Sequence, residues 1–325
     1  MVRALPAELE VVAAAQSGLL TRQQLASAGI DAAKLRRRLE SHWRLVLPGV
    51  VHLSRAPLRA EQRPVAAVLM AGPASVITGA AAAAWHGLRN GPAVARVDVL
   101  VPSGRDRRAA FVRITRTTRP PSEVHRDGVL AVTAVARAVA DLCRGTRDAR
   151  QARAVVIEAV QRRMTSTAKL RHELHAGARR GSAVLRLAIE AAETGAWSVP
   201  EHDLLMLIAG SSTLPTAWPN PVLHGTDGRR LPSPDVWFDE VGVAVQVHSS
   251  AYHSSGPDWD RTVRSDSALA EAGILRLAVT PREIALSPEE TVRRIEAICA
   301  TRSPAQRPPV VMTPRAAGVT DRVRP

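Results

Sequence analysis

The residue types that most clearly suggest chemistry lie between positions 234 and 253. Pro234-Asp235 precedes one apolar stretch, and Gln246-Val-His248 closes a second apolar stretch that starts at Val241. In metal-dependent nucleases, an Asp at the end of one strand and a Glu about ten residues later on the next strand hold a divalent cation beside a phosphodiester. The chain has the Asp, but Gln246 stands at the second position. The pattern therefore predicts a phosphodiesterase-like site that lacks one negative charge.

The missing charge bears directly on the chemistry of this site. Mg²⁺ binds through carboxylates, waters and phosphate oxygens, and a neutral amide such as that of Gln246 attracts it far less. Because the metal stabilises charge in the transition state, the loss of a ligand usually silences such a site. His248 and His253 leave another chemistry open, since either can ligate Zn²⁺ or Mn²⁺ or act as a general base. We favour an inactive site, with Asp235 and His248 as metal ligands only if it is active.

Length and composition limit the kinds of fold that can position these residues. With 325 residues, the chain can form two or three domains, each with its own core. Cys143 and Cys299 are its only cysteines and give neither a disulfide framework nor a zinc ligand set. No apolar stretch approaches the roughly 20 residues of a membrane span, and the first residues do not resemble an export signal. We therefore expect a cytoplasmic protein with no membrane partner.

The net charge of +14 is unevenly distributed. Residues 1–60 contain 9 basic and 4 acidic side chains, and residues 61–196 contain 22 and 11. Residues 197–300 instead contain 8 basic and 14 acidic side chains, and the last 25 residues contain 5 and 1. Phosphate groups are attracted to the basic segments and repelled by the acidic one. If the chain binds nucleic acid, its first two thirds and its tail supply the attraction.

Shifts in composition predict an α/β multidomain protein with four segments. We expect a DNA-binding domain at 1–58, an α+β middle region at 59–195, an α/β domain at 196–300 and a disordered tail at 301–325. The tail prediction rests on a composition of Pro, Arg and Ala that offers little to bury.

The first segment has the order of elements of a winged helix-turn-helix. Thr21-Arg-Gln-Gln24 is a capping box for a second helix, Gly29 makes the turn, and Asp31 can cap a third helix. Two short strands at 43–53 form the wing. The alternative is a small helical domain with a solvated basic face. The predicted DNA contacts, mostly to phosphates, are Arg22, Lys34, Arg36, Arg37, Arg38 and Arg44.

The middle and last segments give a coarser prediction. Residues 62–71 and 79–85 are expected to be helical, and 96–101 and 111–114 are expected to be partner strands. Thr133 is expected to cap a helix that contains an Arg137–Asp141 ion pair. The last segment predicts a mixed sheet flanked by helices. The polar residues expected to converge at one end of this sheet are Glu201, Asp235, Gln246, His248 and His253, although satisfied polar residues at strand ends are the alternative.

The order of motifs in the first two thirds resembles the AbiEi-type antitoxins, which are transcriptional repressors of type IV toxin-antitoxin systems. The motifs that carry this resemblance are Gly18-Leu-Leu-Thr-Arg22, the Arg-rich helix, Trp43 with Pro48-Gly49-Val50, Trp85-His-Gly-Leu88, and Val132-Thr133 with Arg137 and Asp141. The resemblance implies operator DNA as a partner and raises the prospect of a cognate toxin.

The last hundred residues resemble the domain related to very-short-patch-repair endonucleases, a branch of the PD-(D/E)XK restriction-endonuclease-like fold. The residues that match this family's pattern are Glu201, Pro234-Asp235, Tyr252-His253 and Asp258-Trp259. The family has Glu-Val-Asp-Ser where this chain has Gln246-Val-His-Ser249, and no lysine follows Lys169. The resemblance implies the fold, whereas these departures argue against the activity.

Three functions follow as expectations. The first is a DNA-binding regulator of the antitoxin type, in which the nuclease-like domain serves dimerisation, partner binding or structure. The second is a metal-dependent DNA endonuclease with a variant Gln/His site that uses Mg²⁺ or Mn²⁺. The third is an adaptor that neutralises a toxin by direct binding. Double-stranded DNA is the main partner expected, with a homodimer as a further assembly, and no cofactor is expected unless the site is active.

Overall fold

The computed structural model describes residues 5–193, 198–248 and 257–315. The chain is a mixed α/β protein that divides into two compact units. Unit 1 comprises Met1–Val155 and Met164–Leu185, and unit 2 comprises Val156–Arg163 and Arg186–Pro325. The segments predicted at 1–58 and 59–195 thus fall largely within unit 1.

Unit 1 begins with three helices and a three-stranded sheet. The bounds are α1 Ala7–Ala15, β1 Leu19–Thr21, α2 Arg22–Ser27, α3 Ala32–Ser41, β2 Arg44–Leu47 and β3 Val50–His52. The sheet order is β1-β3-β2, and both pairs are antiparallel. The capping box is confirmed, because Gln24 donates its N–H to the Thr21 hydroxyl and accepts the Thr21 N–H. The Asp31 cap is also confirmed, by the N–H of Lys34 at 2.8 Å.

A six-stranded sheet forms the rest of the core of unit 1. The elements are α4 Gln62–Ala71, β4 Val76–Thr78, α5 Gly79–Trp85, β5 Val97–Val101, β6 Arg107–Ala109, β7 Val112–Arg116, β8 Val124–Asp127, β9 Leu130–Thr133 and α6 Val135–Gly145. The strand order is β6-β7-β5-β4-β9-β8, and the predicted pairing of β5 with β7 is confirmed as parallel. Leu19, Leu47 and Val50 of the first segment pack into the same apolar core as α4 and this sheet.

Three further helices follow, namely α7 Ala149–Gln161, α8 Thr167–Ala176 and α9 Ala183–Glu193. Helix α8 packs against α6 in unit 1, whereas residues 156–161 of α7 belong to unit 2.

Unit 2 contains a four-stranded mixed sheet with helices on both faces. The elements are α10 Val199–Ala209, β10 Ala217–Pro219, β11 Val222–Gly225, β12 Arg230–Leu231, β13 Val236–Phe238, β14 Val243–Val247, α11 Pro257–Glu271, β15 Leu275–Val279, α12 Pro281–Leu286 and α13 Pro288–Ala300. The order is β10-β13-β14-β15, antiparallel except for the parallel pair β14 and β15. Val236 and Val245 face one core with α10 and α13, while Trp237 and Ala244 face the other with Leu269 of α11. The predicted mixed sheet is therefore present.

The predicted disordered tail is wrong for residues 301–315. After a 3-10 turn at Pro304–Gln306, strand β16 spans Val310–Thr313 and pairs with β11, which also pairs with β12. The Arg307 guanidinium contacts the Asp239 carboxylate at 2.7 Å, and Val310 is buried. The short apolar run 310–313 forms backbone hydrogen bonds with β11. This pairing orders the segment despite the Pro-rich and Arg-rich composition around it. Residues 316–325 lie outside the described part of the chain.

Within the described residues, no helix has both the length and the apolarity that a membrane span requires.

Candidate functional site

Two buried carboxylates lie close together at one end of the sheet in unit 2. Glu201 sits in the first turn of α10, and Asp235 immediately precedes β13. Both residues are about 8 % exposed. The Glu201 carboxylate accepts hydrogen bonds from the Ser198 hydroxyl at 2.8 Å and from the Asn220 amide at 3.0 Å. The predicted meeting of an acidic residue on the helix with the Asp at the strand end is thus present.

The register of the sheet places Gln246 next to Asp235. The antiparallel pair β13 and β14 aligns Val236 with Val245, so one further step sets Asp235 opposite Gln246. Asp235 Oδ2 accepts the N–H of Val247 at 2.6 Å, which fixes the carboxylate at this strand end. Gln246 Oε1 is buried and finds no hydrogen-bond donor among the described residues. Gln246 therefore lies beside Asp235, as the spacing of the two residues predicts.

Electrostatics at this strand end favour the protonated form of Asp235. Burial raises the pKa of Asp235 well above its usual range, and the nearby negative charge of Glu201 raises it further. The N–H of Val247 lowers the pKa of Asp235 in part, but it does not offset these two effects. Without a bound cation, the hydrogen bonds to these two buried carboxylates do not compensate for a negative charge on both of them.

Replacing Asp235 with Asn should stabilise the fold at neutral pH. A carboxyl group with a raised folded-state pKa contributes stability that is present below its ordinary pKa of 3.8 and is lost as the pH rises through the folded-state pKa. We expect Asp235→Asn to raise the free energy of unfolding by about 1–2 kcal/mol at pH 8 and to give little gain near pH 4. Urea unfolding at both pH values measures the difference. A variant that is equally destabilised at both values would contradict this account of the pair.

His248 interacts with a different set of charged residues. Its Nε2 lies 3.3 Å from Arg276 Nη1 and 3.9 Å from Asp266 Oδ2, and Arg276 itself pairs with Asp266 at 2.6 Å. Because a guanidinium only donates, His248 Nε2 acts as the acceptor in its contact with Arg276. His253, the other predicted histidine, lies outside the described residues.

The described residues at this strand end do not by themselves make a complete site for a hard cation. Among the described residues, no group of three or more His, Cys, Asp or Glu side chains lies close enough to hold a metal ion. Glu201 and Asp235 supply two carboxylates, but Glu201 already accepts a hydrogen bond at each oxygen. Gln246 adds only an amide oxygen, a weaker ligand for Mg²⁺ than the carboxylate expected there.

The basic residues of α3 and its flanks divide into two groups. Arg36 and Arg37 are exposed, as are Arg22 and Arg44, and the described residues offer the side chains of these four no ion-pair or hydrogen-bond partner. Arg38 is different, because its guanidinium stacks over the buried Trp43 ring at 4.6 Å. Lys34 is tied to the turn that precedes its helix, since its ammonium group donates to the Gly29 carbonyl at 2.9 Å and pairs with the N-cap residue Asp31.

Arg38 should therefore contribute to stability, unlike its neighbours. A cation placed over a Trp ring adds about 0.5–1 kcal/mol at a partly exposed position. We expect Arg38→Ala to lower the free energy of unfolding of unit 1 by about that amount. Arg37→Ala, one position away, should leave it unchanged within about 0.5 kcal/mol. Chemical unfolding of the two variants measures this contrast, and equal destabilisation would contradict it.

The motifs of the middle region form a connected polar network. The predicted pair is confirmed, since Arg137 Nε lies 2.7 Å from Asp141 Oδ2. Asp141 also accepts hydrogen bonds from the Thr78 hydroxyl and from Arg144. The predicted cap is wrong, because α6 begins at Val135 with Ala134 as its N-cap. The Thr133 hydroxyl donates instead to the hydroxyl of Thr78 on the neighbouring strand.

Comparison of the sequence with protein-family models found no match, and comparison with curated proteins found none either. Membership of either resembled family therefore stays a prediction.

Proposed function

We propose that the protein is a DNA-binding transcriptional regulator, with α1 to β3 acting as a winged helix-turn-helix. The observation that carries the proposal is the pair Arg36 and Arg37 on the capped helix α3, whose exposed side chains have no partner in the part of the chain that the structure describes. A helix of this kind, placed after a tight turn and before a hairpin, is the element that enters the major groove in winged helix proteins.

The local geometry of this segment supports that role. Gly29 adopts a φ of +76° between α2 and α3, a conformation that glycine tolerates and that a turn between two helices requires. Leu35 is the buried side chain of α3 that packs into the core, so Arg36 and Arg37 stay exposed, where DNA can reach them. The β2–β3 hairpin follows directly and begins with the exposed Arg44. Adjacent arginines point in different directions, so most of these contacts are to phosphates.

Charge distribution also supports the proposal. Residues 1–60 carry 9 basic against 4 acidic side chains. The six-stranded sheet, which packs into the same core as Leu19, Leu47 and Val50, lies in the strongly basic stretch 61–196. The stretch 197–300 is net acidic, so its field opposes binding to a polyanion. In this proposal, unit 2 serves in dimerisation, partner binding or structure.

The alternative function is a metal-dependent endonuclease, and one observation favours it. Glu201 and Asp235 are retained at the end of a mixed sheet, and the buried Gln246 Oε1 next to them has no donor among the described residues. If the site is active, Asp235 is the first ligand for Mn²⁺ or Mg²⁺, and the metal would stabilise charge on the phosphodiester. His248 would first have to leave Arg276 and Asp266.

A DNA-binding titration tests the proposal. Fluorescence anisotropy of a labelled random-sequence duplex at low salt should show saturable binding that weakens steeply as salt is added. The absence of detectable binding at low salt would overturn the proposal. A supercoiled-plasmid assay with Mg²⁺, Mn²⁺ or Zn²⁺ distinguishes the regulator from the endonuclease, because an endonuclease nicks the plasmid and a regulator leaves it intact.

A further inference from the structure

A cavity of about 350 Å³ lies within unit 1, away from α3. It is lined by residues from four elements or their ends, namely His86 after α5, His125 on β8, Arg137 on α6, and Lys169 and His172 on α8. This volume lies within the range of small-molecule sites. Two motifs that the proposed function does not use, Trp85-His-Gly-Leu88 and the Thr133–Asp141 stretch, meet at this cavity.

The cavity is lined by cationic groups whose charge is only partly neutralised. Arg137 is buried, with Nε on Asp141 and Nη1 on the Arg119 carbonyl, and its Nη2 has no hydrogen-bond partner among the described residues. Asp141 also pairs with Arg144, so one carboxylate is shared by two guanidiniums. Lys169 is exposed at the cavity and makes no ion pair with the described residues.

His172 lies on the same side of the cavity as Lys169. Lys169 and His172 are three residues apart on α8, so they share one face of the helix. One of the two acidic side chains on the wall, Glu173, is held by Arg119 at 2.5 Å. The other, Glu123, is exposed.

Two further groups at the cavity can form hydrogen bonds for which the described residues supply no partner. Thr165 Oγ1 is buried and has no hydrogen-bond partner in the described chain, although Thr165 lines the cavity. Helix α6 begins at the same wall. Its N-cap residue Ala134 has no side-chain oxygen that could accept a hydrogen bond from the first N–H groups of the helix. The first turn of α6 also has no acidic residue. An oxyanion placed here would accept from the hydroxyl and the amides as well as from the cationic side chains.

An aromatic wall completes the cavity. The His86 and His125 rings meet edge to face with centroids 5.2 Å apart, and Trp85 packs edge-on against His86 at 5.0 Å. His86 Nε2 donates to the Thr133 carbonyl at 2.8 Å, which fixes the ring. Burial lowers the pKa of His86, so this ring is a neutral surface at pH 7.

We propose that this cavity binds a small phosphate-bearing anion, with Arg137, Lys169 and His172 holding the phosphate and the His86–His125 wall contacting the rest of the ligand. Arginine and lysine bind phosphate through charge-assisted hydrogen bonds, and the wall suits a flat, partly apolar body. The site goes beyond the proposed function, and its test involves no DNA.

Imidazole NMR of the full-length protein tests the site with inorganic phosphate as the probe. Phosphate is titrated at constant ionic strength while the signals of His86, His125 and His172 are followed, with assignments made by His→Gln changes. The test variant is Lys169→Gln/His172→Gln, which alters two exposed positions of α8. The matched control is His175→Gln, at an exposed position of the same helix that does not line the cavity.

We expect saturable shifts of the His86 and His125 signals in the wild type. The loss of the charge-assisted contact from Lys169 and of the hydrogen bond from His172 should weaken phosphate binding by about tenfold or more in the double variant, and His175→Gln should bind as the wild type does. The proposal is overturned if phosphate produces no saturable shift. It is also overturned if the double variant, with His125 as the reporter, keeps the wild-type affinity.

Discussion

Replacing both Arg36 and Arg37 with Ala is expected to reduce affinity for duplex DNA by about tenfold to a hundredfold at low salt. Both side chains are exposed on α3 without partners in the described chain, so their removal takes away phosphate contacts and leaves the core intact. Each lost phosphate contact should also lower the slope of log affinity against log salt by about 0.9. Anisotropy titrations at several salt concentrations measure both quantities.

The control for this experiment is an adjacent arginine pair in the net acidic stretch 197–300. Arg229 and Arg230 are also exposed, and they lie at the start of β12 in unit 2. Their double replacement with Ala should leave both the affinity and the salt slope close to the wild-type values. If the α3 double variant binds DNA as tightly as this control, α3 is not the recognition helix.

Introducing acidic residues at the strand end of unit 2 should create a metal site. In a Gln246→Glu/His248→Asp variant, each change adds a carboxylate, and the one at position 246 stands opposite Asp235, which itself lies close to Glu201. Carboxylates this close repel one another strongly without a cation, and this repulsion favours binding of a divalent ion. We expect Mn²⁺ affinity to rise by at least about tenfold, in line with the usual effect of ligand changes at metal sites. Isothermal titration calorimetry with Mn²⁺ measures the gain.

The matched control adds Asp235→Ala to the double variant, and this change should abolish the gain. A plasmid-nicking assay run beside the calorimetry separates the two functions. We expect no cleavage by the wild type, because Gln246 cannot replace the anionic ligand. Nicking by the wild type that disappears in Asp235→Ala would favour the endonuclease, and an unchanged Mn²⁺ affinity in the double variant would show that this strand end does not assemble a site.

The parts of the fold that follow local rules could be predicted from the sequence. The Thr21–Gln24 capping box and the Asp31 cap depend on residues three positions apart, and both are present. The strand pair β5 and β7 and the mixed sheet of unit 2 follow from short apolar runs in the sequence. The closeness of Glu201 and Asp235 was also predicted, because each lies at the end of an element that the pattern identifies.

Long-range contacts account for what the sequence did not predict. Strand β16 depends on a partner nearly ninety residues earlier in the chain, and nothing within its own short run of residues indicates that pairing. Thr133 has the residue type of a helix cap, but its hydroxyl bonds across the sheet to Thr78. His248 has the residue type of a metal ligand, yet Arg276 and Asp266 contact it from other elements. The cavity near Arg137 has no single motif, because four elements contribute its lining.

The pairing of β16 with β11 also bears on how the protein is made. During synthesis, β11 leaves the ribosome well before residues 310–313 exist, so one edge of this strand has no partner for the time needed to translate roughly 85 more residues, several seconds at ordinary rates. An uncovered strand edge readily pairs with other chains. Expression at high ribosome density should therefore favour aggregation of nascent chains, and co-expressed chaperones should relieve it.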